Sequence, residues 1–225
     1  MLMLHGYLSC KESFAKQISF FSRFMRVVAV DMSGFGKAPK MSTPYSLGDY
    51  AREIKEILDE LGEEKVDVLA HSFGARVVVR LLENENRIDK IIFTGAAGLK
   101  PRRGIKFFFR KASFFILKNF VKRENLKFLY SQDYRNLSPV MKKSFQMVIA
   151  EDLTLEYKKI KNHALLVFGK NDRQTPLYMA KRMKKLMVNS RLSILPKSGH
   201  FCFVEKSEDF NSLVFSFLTE NKNAL

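Results

Sequence analysis

The fold of this chain is decided by residues 66–78, whose sequence is VDVLAHSFGARVV. The pattern is typical of an apolar strand, a tight turn of small residues and an apolar helix start. Such a turn leaves no room for large side chains beside Ser72, which accounts for Ala70 and Gly74. It predicts that the Ser72 hydroxyl stands above the carboxyl end of the strand and that the first helical N–H groups, beginning with Phe73, face any anion formed there. The alternative is an ordinary turn in which Ser72 only caps the helix.

Apolar strands alternate with amphipathic helices along most of the chain. Besides the strand before Ser72, strands are predicted at residues 2–4, 26–30, 90–94, 164–169 and 191–195. The helices between them are predicted to begin with small polar capping residues, which include Ser13, Ser46, Thr175 and Ser207. This alternation predicts an α/β fold with a parallel, doubly wound sheet.

Residues 100–161 differ in composition from the rest of the chain. They show no strand pattern, helix-forming residues dominate, and phenylalanines are interleaved with lysines and arginines. The segment carries sixteen basic and five acidic residues, so much of the chain's positive charge lies here. We therefore expect residues 1–99 and 162–225 to form the α/β core and residues 100–161 to form a helical cap. Its aromatic residues fit an apolar acyl pocket, although aromatics at helical spacing more often form core.

The chain is strongly basic, with 39 lysines and arginines against 23 acidic residues and a net charge of +16. Such a field favours an acidic carrier protein or an anionic membrane surface as partner, and the plainer alternative is a lysine-rich solvated surface. No nucleic-acid-binding motif accompanies the charge, which disfavours nucleic acid. No apolar run reaches the roughly 20 residues that span a bilayer, and no signal peptide is visible. We expect a cytoplasmic protein in which Cys10 and Cys202 are reduced thiols.

A serine hydroxyl is a weak nucleophile at neutral pH and needs a base. Open α/β sheets gather their functional residues at the carboxyl ends of the strands, and His200 follows the last strand on that edge. His71 belongs to the turn itself, His163 precedes a strand at the opposite edge, and His5 is interpreted as an organiser of its own loop. His200 is therefore the candidate general base for Ser72.

Asp172 directly follows the predicted strand at residues 164–169. It is the candidate group that orients His200 and stabilises the imidazolium. Thr175 and Pro176 are predicted to cap and open the next helix, which leaves Asp172 available for this task. The plainer alternative is an aspartate that only forms the turn before the helix.

Two backbone N–H groups are candidates for holding the oxyanion of a tetrahedral intermediate. Phe73 offers one at a helix N-terminus. Tyr7, which follows His5 and Gly6 at the end of the first strand, is placed to offer the other.

Taken together, these segments resemble the α/β-hydrolase superfamily. The order Ser72, Asp172, His200 is the chain order of that family's triad. The resembling segments span nearly the whole chain, namely residues 5–6, 31–36, 70–74, 169–172 and 198–201. The resemblance implies a mostly parallel sheet with a helical cap inserted after the sixth strand of the family. Within the superfamily, the chain is most similar to carboxylesterases, carbon–carbon bond hydrolases and acyl-carrier methyl esterases.

Two features depart from the family pattern. Family members usually have two strands before the His-Gly loop, whereas this sequence opens on the third, so the strand at residues 26–30 is expected to stand uncovered at the sheet edge. Tyr7-Leu8-Ser9 replaces a continuation that usually contains glycine, which implies a less open oxyanion loop. Neither departure removes a catalytic side chain.

The residues and the resemblance lead to a serine hydrolase that cleaves a small-molecule carboxylic ester or thioester through an acyl-enzyme. No metal-ligand cluster and no nucleotide fingerprint is visible in the sequence, so no metal and no cofactor are expected. Two alternatives stay open. In one, the basic cap docks an acidic acyl carrier or an anionic membrane that presents the substrate. In the other, the chain is a non-catalytic binding module on a truncated hydrolase fold.

Overall fold

The computed structural model of this protein describes residues 1–101 and 137–220. Within these residues six strands form one sheet, and they are β1 (Leu2–Leu4), β2 (Val28–Val30), β3 (Val66–His71), β4 (Ile88–Thr94), β5 (Ala164–Gly169) and β6 (Ser190–Leu195). All neighbouring strands pair in parallel, in the order β2-β1-β3-β4-β5-β6. The predicted parallel α/β sheet is confirmed.

Helices connect the strands. The described α-helices are α1 (Ala15–Phe21), α2 (Leu47–Leu61), α3 (Phe73–Leu81), α4 (Pro139–Ala150), α5 (Thr154–Lys159), α6 (Leu177–Leu186), α7 (Cys202–Glu205) and α8 (Ser207–Thr219). A short 3-10 turn, Lys11–Phe14, precedes α1. None of the helices in the described ranges is long and apolar enough to cross a membrane.

Helices cover both faces of the sheet. Alternate residues of a strand point to opposite sides, so each strand contributes to the core on both faces. Val68 and Ala70 of β3 pack on the side that holds α2, α3 and α6. Leu69, between them, packs on the side that holds α1 and α8. Strands buried on two faces have nearly continuous apolar sequences, which is why the strands stand out in this chain. The doubly wound arrangement predicted from the alternation is confirmed.

The predicted helix starts are only partly correct. Ser46 caps α2 in a reciprocal capping box with Asp49, and Gly62 ends that helix in a left-handed conformation, both as the sequence indicates. Ser13 caps nothing, because residues 11–14 form the 3-10 turn and its buried hydroxyl has no hydrogen-bond partner. Ser207 is the first residue of α8 rather than its cap, a position that Lys206 holds.

The strand predicted at residues 26–30 is the three-residue β2, which lies at one edge of the sheet. Its residues are only half-buried. This is the position that the resemblance implies for a chain whose first strand corresponds to the third strand of the family.

Of the predicted cap, residues 102–136, with the phenylalanines at 107–109, 114, 115, 120 and 128, lie outside the described residues. Helices α4 and α5 fall in its remaining part. Leu153 and Tyr157 belong to the same apolar cluster as the strands. The Arg76 guanidinium of α3 also donates to the carbonyls of Val148 and Glu151, at 3.0 and 3.1 Å. This part of the segment is therefore anchored to the core, and the domain boundaries at residues 100 and 162 stay a prediction.

Candidate active site

Ser72 stands in a strained turn between β3 and α3. Its φ and ψ are 50° and −102°, outside the regions that L-residues ordinarily adopt. Its backbone is held on both sides, since its N–H donates to the Thr94 carbonyl at 3.1 Å and its own carbonyl accepts from Ala97 at 3.2 Å. The Ser72 side chain makes no capping hydrogen bond to α3. Helix capping therefore does not explain this serine, and its hydroxyl is left for another use.

Gly74 brings the start of α3 against the end of β1. A Cβ atom placed on it would lie 2.4 Å from the Leu4 carbonyl oxygen and 2.9 Å from that of His5. The Gly74 N–H donates to the His5 carbonyl at 3.1 Å. The serine turn and the loop after β1 are thus in backbone contact, which only glycine allows here.

The loop after β1 is tied together by His5. Its Nε2 accepts the Met32 N–H at 3.1 Å, so the proton is on Nδ1, which donates to the Gly6 carbonyl at 2.7 Å. His5 therefore bridges the loops after β1 and β2, in keeping with its interpretation as an organiser. Gly6 lies against the serine turn, because a Cβ atom there would be 3.6 Å from the Ser72 Cβ.

Tyr7 packs between this loop and α4. Its ring meets the Phe73 ring edge-on at 5.3 Å, and its hydroxyl donates to the Met141 carbonyl at 3.0 Å. The next residue, Leu8, has a positive φ of 59° and a half-exposed side chain. The Tyr7 and Phe73 rings are therefore in contact beside the serine turn, and the roles of the two backbone N–H groups as oxyanion donors stay a prediction.

His200 and Asp172 form a buried pair. Nδ1 of His200 donates to Oδ2 of Asp172 at 2.8 Å, and each residue is less than a tenth exposed. Burial alone raises the pKa of Asp172, but hydrogen bonds from His200 and Thr175 outweigh it and hold that pKa below its ordinary value. The carboxylate is therefore charged at neutral pH, and it fixes the His200 tautomer with Nε2 available as an acceptor.

Thr175 does not cap the following helix, contrary to the prediction. Pro176 holds the cap position of α6, without a side-chain hydrogen bond. The Thr175 hydroxyl instead donates to Oδ2 of Asp172 at 2.8 Å. Sequence reasoning missed this partner because a Thr-Pro pair before an apolar run is typical of a helix start.

The His200 ring lies beside the serine turn. A Cβ atom on Gly95 would be 3.0 Å from Nδ1 of His200, and Gly95 directly follows Thr94, which binds the Ser72 N–H. Within residues 1–101 and 137–220 no hydrogen bond joins the Ser72 hydroxyl to His200. Catalytic hydrogen bonds are often long until substrate binds, so this placement is compatible with a nucleophile and its base.

The other histidines are not placed as bases. His71 is buried, its Nδ1 lies 3.0 Å from the Thr94 carbonyl, and its ring lies 4.6 Å from that of His200. Burial lowers the pKa of His71 to about 3, so it is neutral. His163 lies at the amino end of β5, where its carbonyl accepts from Ile91. In the part of the chain that the structure describes, no group of three or more His, Cys, Asp or Glu residues could hold a metal ion.

Two family models match this chain. The model described as alpha/beta hydrolase fold matches residues 1–139, and the model described as TAP-like protein matches residues 148–223. The AB hydrolase superfamily protein YisY of Bacillus subtilis is 25% identical over 96% of this chain and 90% of that protein.

Two further proteins are similar to the chain over most of its length. A 2-hydroxy-6-oxo-6-phenylhexa-2,4-dienoate hydrolase of Burkholderia cepacia is 26% identical, with 86% of this chain and 77% of that protein covered. A solved structure of an esterase from Exiguobacterium antarcticum is 25% identical and superposes with a TM-score of 0.77, over 97% of this chain and 91% of the esterase.

Proposed function

This chain belongs to the alpha/beta hydrolase fold family, and we propose that, as a hydrolase of that family, it cleaves a small-molecule carboxylic ester or thioester through Ser72, His200 and Asp172. The observation that carries the proposal is the strained, uncapped Ser72 beside the buried His200–Asp172 pair. Family membership also decides against the non-catalytic binding module.

In the first half-reaction, the Ser72 hydroxyl oxygen attacks the carbonyl carbon while Nε2 of His200 takes its proton. Asp172 stays ionised and stabilises the imidazolium through the 2.8 Å bond to Nδ1. When the tetrahedral intermediate collapses, the imidazolium returns the proton to the leaving alcohol or thiol. In the second half-reaction, water attacks the acyl-enzyme with the same proton transfers.

The negative charge that develops on the carbonyl oxygen needs donors that are already in place. We assign this role to the backbone N–H groups of Phe73, at the first position of α3, and Tyr7. Removing one such donor in a serine hydrolase typically costs about 10²–10³ in rate. The contact of Gly74 with the loop after β1 supports the assignment, because it sets the spacing of the two donors.

The test is the Ser72→Ala variant assayed on p-nitrophenyl esters of graded acyl length. We expect a loss of activity of at least about 10³-fold together with loss of labelling by a fluorophosphonate probe. The matched control is Ser19→Ala, an exposed serine of α1, which should keep both activity and labelling. Unchanged turnover in Ser72→Ala refutes the assigned nucleophile.

Carbon–carbon bond hydrolysis is a second candidate function. It is favoured by the Burkholderia cepacia relative, whose name is that of a dienoate hydrolase. The same purified protein should therefore be assayed with 2-hydroxy-6-oxo-6-phenylhexa-2,4-dienoate beside the ester panel. A kcat/KM for the dienoate above that for every ester would replace the ester proposal by this one.

The net charge of +16 supports a finer proposal about how the substrate is presented. An acidic carrier protein or an anionic membrane surface that carries the ester would be attracted by this field. Its kcat/KM should then fall as salt rises from low to physiological strength, while a neutral free ester serves as control. A salt-independent rate on the presented substrate contradicts this proposal.

A further inference from the structure

We propose that Thr175 is a positioning residue for the triad: its hydroxyl shares Oδ2 of Asp172 with the His200 imidazole and holds that oxygen towards Nδ1. The inference rests on the proposed function, since it concerns the same triad. It assigns a role to a side chain whose sequence context indicates only a helix start.

The carboxylate of Asp172 is held by donors on both oxygens. Oδ1 accepts the backbone N–H groups of Gln174 and Thr175 at 2.8 and 2.9 Å. Oδ2 accepts the Thr175 hydroxyl and Nδ1 of His200, both at 2.8 Å. The two backbone bonds pin one oxygen, and among the described residues the hydroxyl is the only group besides His200 itself that binds the second oxygen.

The hydroxyl proton has one short acceptor. Thr175 Oγ1 lies 2.8 Å from Asp172 Oδ2 and 3.4 Å from Nδ1 of His200. The nitrogen already donates its proton to Oδ2, so it offers the hydroxyl no acceptor. Thr175 is only 5% exposed, so water does not readily replace the hydroxyl if it is removed.

Among the described residues, the other titratable groups near His200 do not take the place of Asp172. His71 contacts the ring and is neutral, since burial lowers its pKa to about 3. The Cys202 thiol, two residues along the chain, is neutral because burial raises its pKa to about 11. Glu205 accepts the Gly199 N–H at 2.9 Å and so binds the backbone of the loop rather than the ring. The orientation of His200 thus depends on Oδ2 of Asp172.

Losing the hydroxyl should have two effects. The carboxylate becomes free to turn away from Nδ1, which misplaces the imidazole and lowers kcat more than it changes KM. A carboxylate turned away from Nδ1 also stabilises the protonated imidazole less, which moves the acid limb of the rate profile to lower pH.

The test is a set of variants assayed on the best ester of the panel. For Thr175→Val, which keeps the shape and removes the hydroxyl, we expect kcat to fall about 10-fold with little change in KM. We also expect the acid limb of kcat/KM to move to lower pH by about 0.5 unit or more. Thr175→Ser should restore both. Thr175→Ala should show the same changes as Thr175→Val, and it serves as the test variant if the valine protein does not fold.

Thr154 provides a matched control. Its hydroxyl donates to Asp152 at 2.6 Å, a local bond between threonine and aspartate like that of Thr175, but it spans two residues instead of three and lies on the surface at the start of α5. Thr154→Val should therefore leave kcat and the pH profile unchanged.

The outcomes separate this inference from the proposed function. If Ser72→Ala is inactive while Thr175→Val keeps the wild-type kcat and pH profile, the positioning role is wrong and the triad stands. Equal losses in Thr175→Val and Thr175→Ser also overturn it, because they indicate packing rather than the hydroxyl. If Ser72→Ala stays active, the proposed function itself fails.

Discussion

Replacing Gly74 by alanine tests whether backbone contact between the serine turn and the loop after β1 holds the site together. The new Cβ would lie 2.4 Å from the Leu4 carbonyl oxygen, whereas real Cβ contacts stay above about 3.0 Å. The start of α3 must therefore move away from the end of β1 by at least about 0.6 Å. No side-chain rotation relieves the clash, because the opposing atoms are backbone atoms of Leu4, at the end of β1, and of His5, which follows it.

The structure sets the expected magnitudes. Overpacking of this kind costs about 1–3 kcal/mol of unfolding free energy, and each kcal/mol lowers the Tm of a domain of this size by roughly 2–4 °C. The same displacement separates the N–H groups of Phe73 and Tyr7, so kcat/KM for an ester should fall at least about 10-fold.

Gly48 gives a matched control, since it is the second residue of α2 as Gly74 is of α3. A Cβ atom on Gly48 would lie 3.6 Å from the Ser46 Oγ, an ordinary contact. Gly48→Ala should therefore stabilise the protein by about 0.5–1 kcal/mol and leave activity unchanged. Urea unfolding and ester kinetics on both variants measure the difference. A Gly74→Ala protein with the wild-type unfolding midpoint would refute the reasoning.

Three further predictions concern other buried groups. Lys90→Met should destabilise the protein by about 2 kcal/mol in urea unfolding, because its ammonium group binds the carbonyls of Phe217, Leu218 and Glu220 at the end of α8. The hydrogen bond from Arg87 lowers the pKa of Glu85 to about 2, so its contribution to stability, full above pH 4.5, should be lost as the pH falls towards 2; Glu85→Gln should flatten the pH dependence of the urea midpoint over this interval. A thiol reagent should modify half-buried Cys10 in the native protein and buried Cys202 only after unfolding, because burial raises the pKa of Cys202 to about 11. A timed labelling assay with a denatured sample as control measures this, and equal rates for the two thiols in the native protein would contradict it.

The strands and the serine turn could be predicted because their signals are local. Each buried strand is a short apolar run. The residues around Ser72 are small because the tight turn leaves no room for larger side chains. The capping box of Ser46 and Asp49 is local in the same sense, since its partners are three residues apart. The approach of His200 to the serine turn is different: it was inferred from the sheet edge at which the two loops emerge, and no local pattern contains it.

Contacts that depend on distant segments could not be predicted. The bonds from Arg76 to the carbonyls of Val148 and Glu151 join residues more than seventy positions apart, and an arginine in an apolar helix indicates no particular partner. Ser13 has the sequence of a helix cap, but it lies within the 3-10 turn Lys11–Phe14 and its hydroxyl is buried. In both cases the surroundings of the polar group in the folded chain, rather than the neighbouring sequence, decide whether it forms a hydrogen bond and with which partner.

Thr175 shows how such a competition is decided. A threonine before a helix can bind the helix N–H groups or another acceptor close by, and the local sequence allows both. Pro176 holds the cap position itself, so Thr175 lies one residue before the position whose side chain caps a helix. The bond to Asp172 is the more favourable one. A buried carboxylate oxygen that loses a donor costs more free energy than helix N–H groups that lack a cap but can bind water. That oxygen is buried because His200, twenty-five residues further along the chain than Thr175, packs against it. The partner of the hydroxyl is therefore fixed by the same long-range contact that assembles the triad.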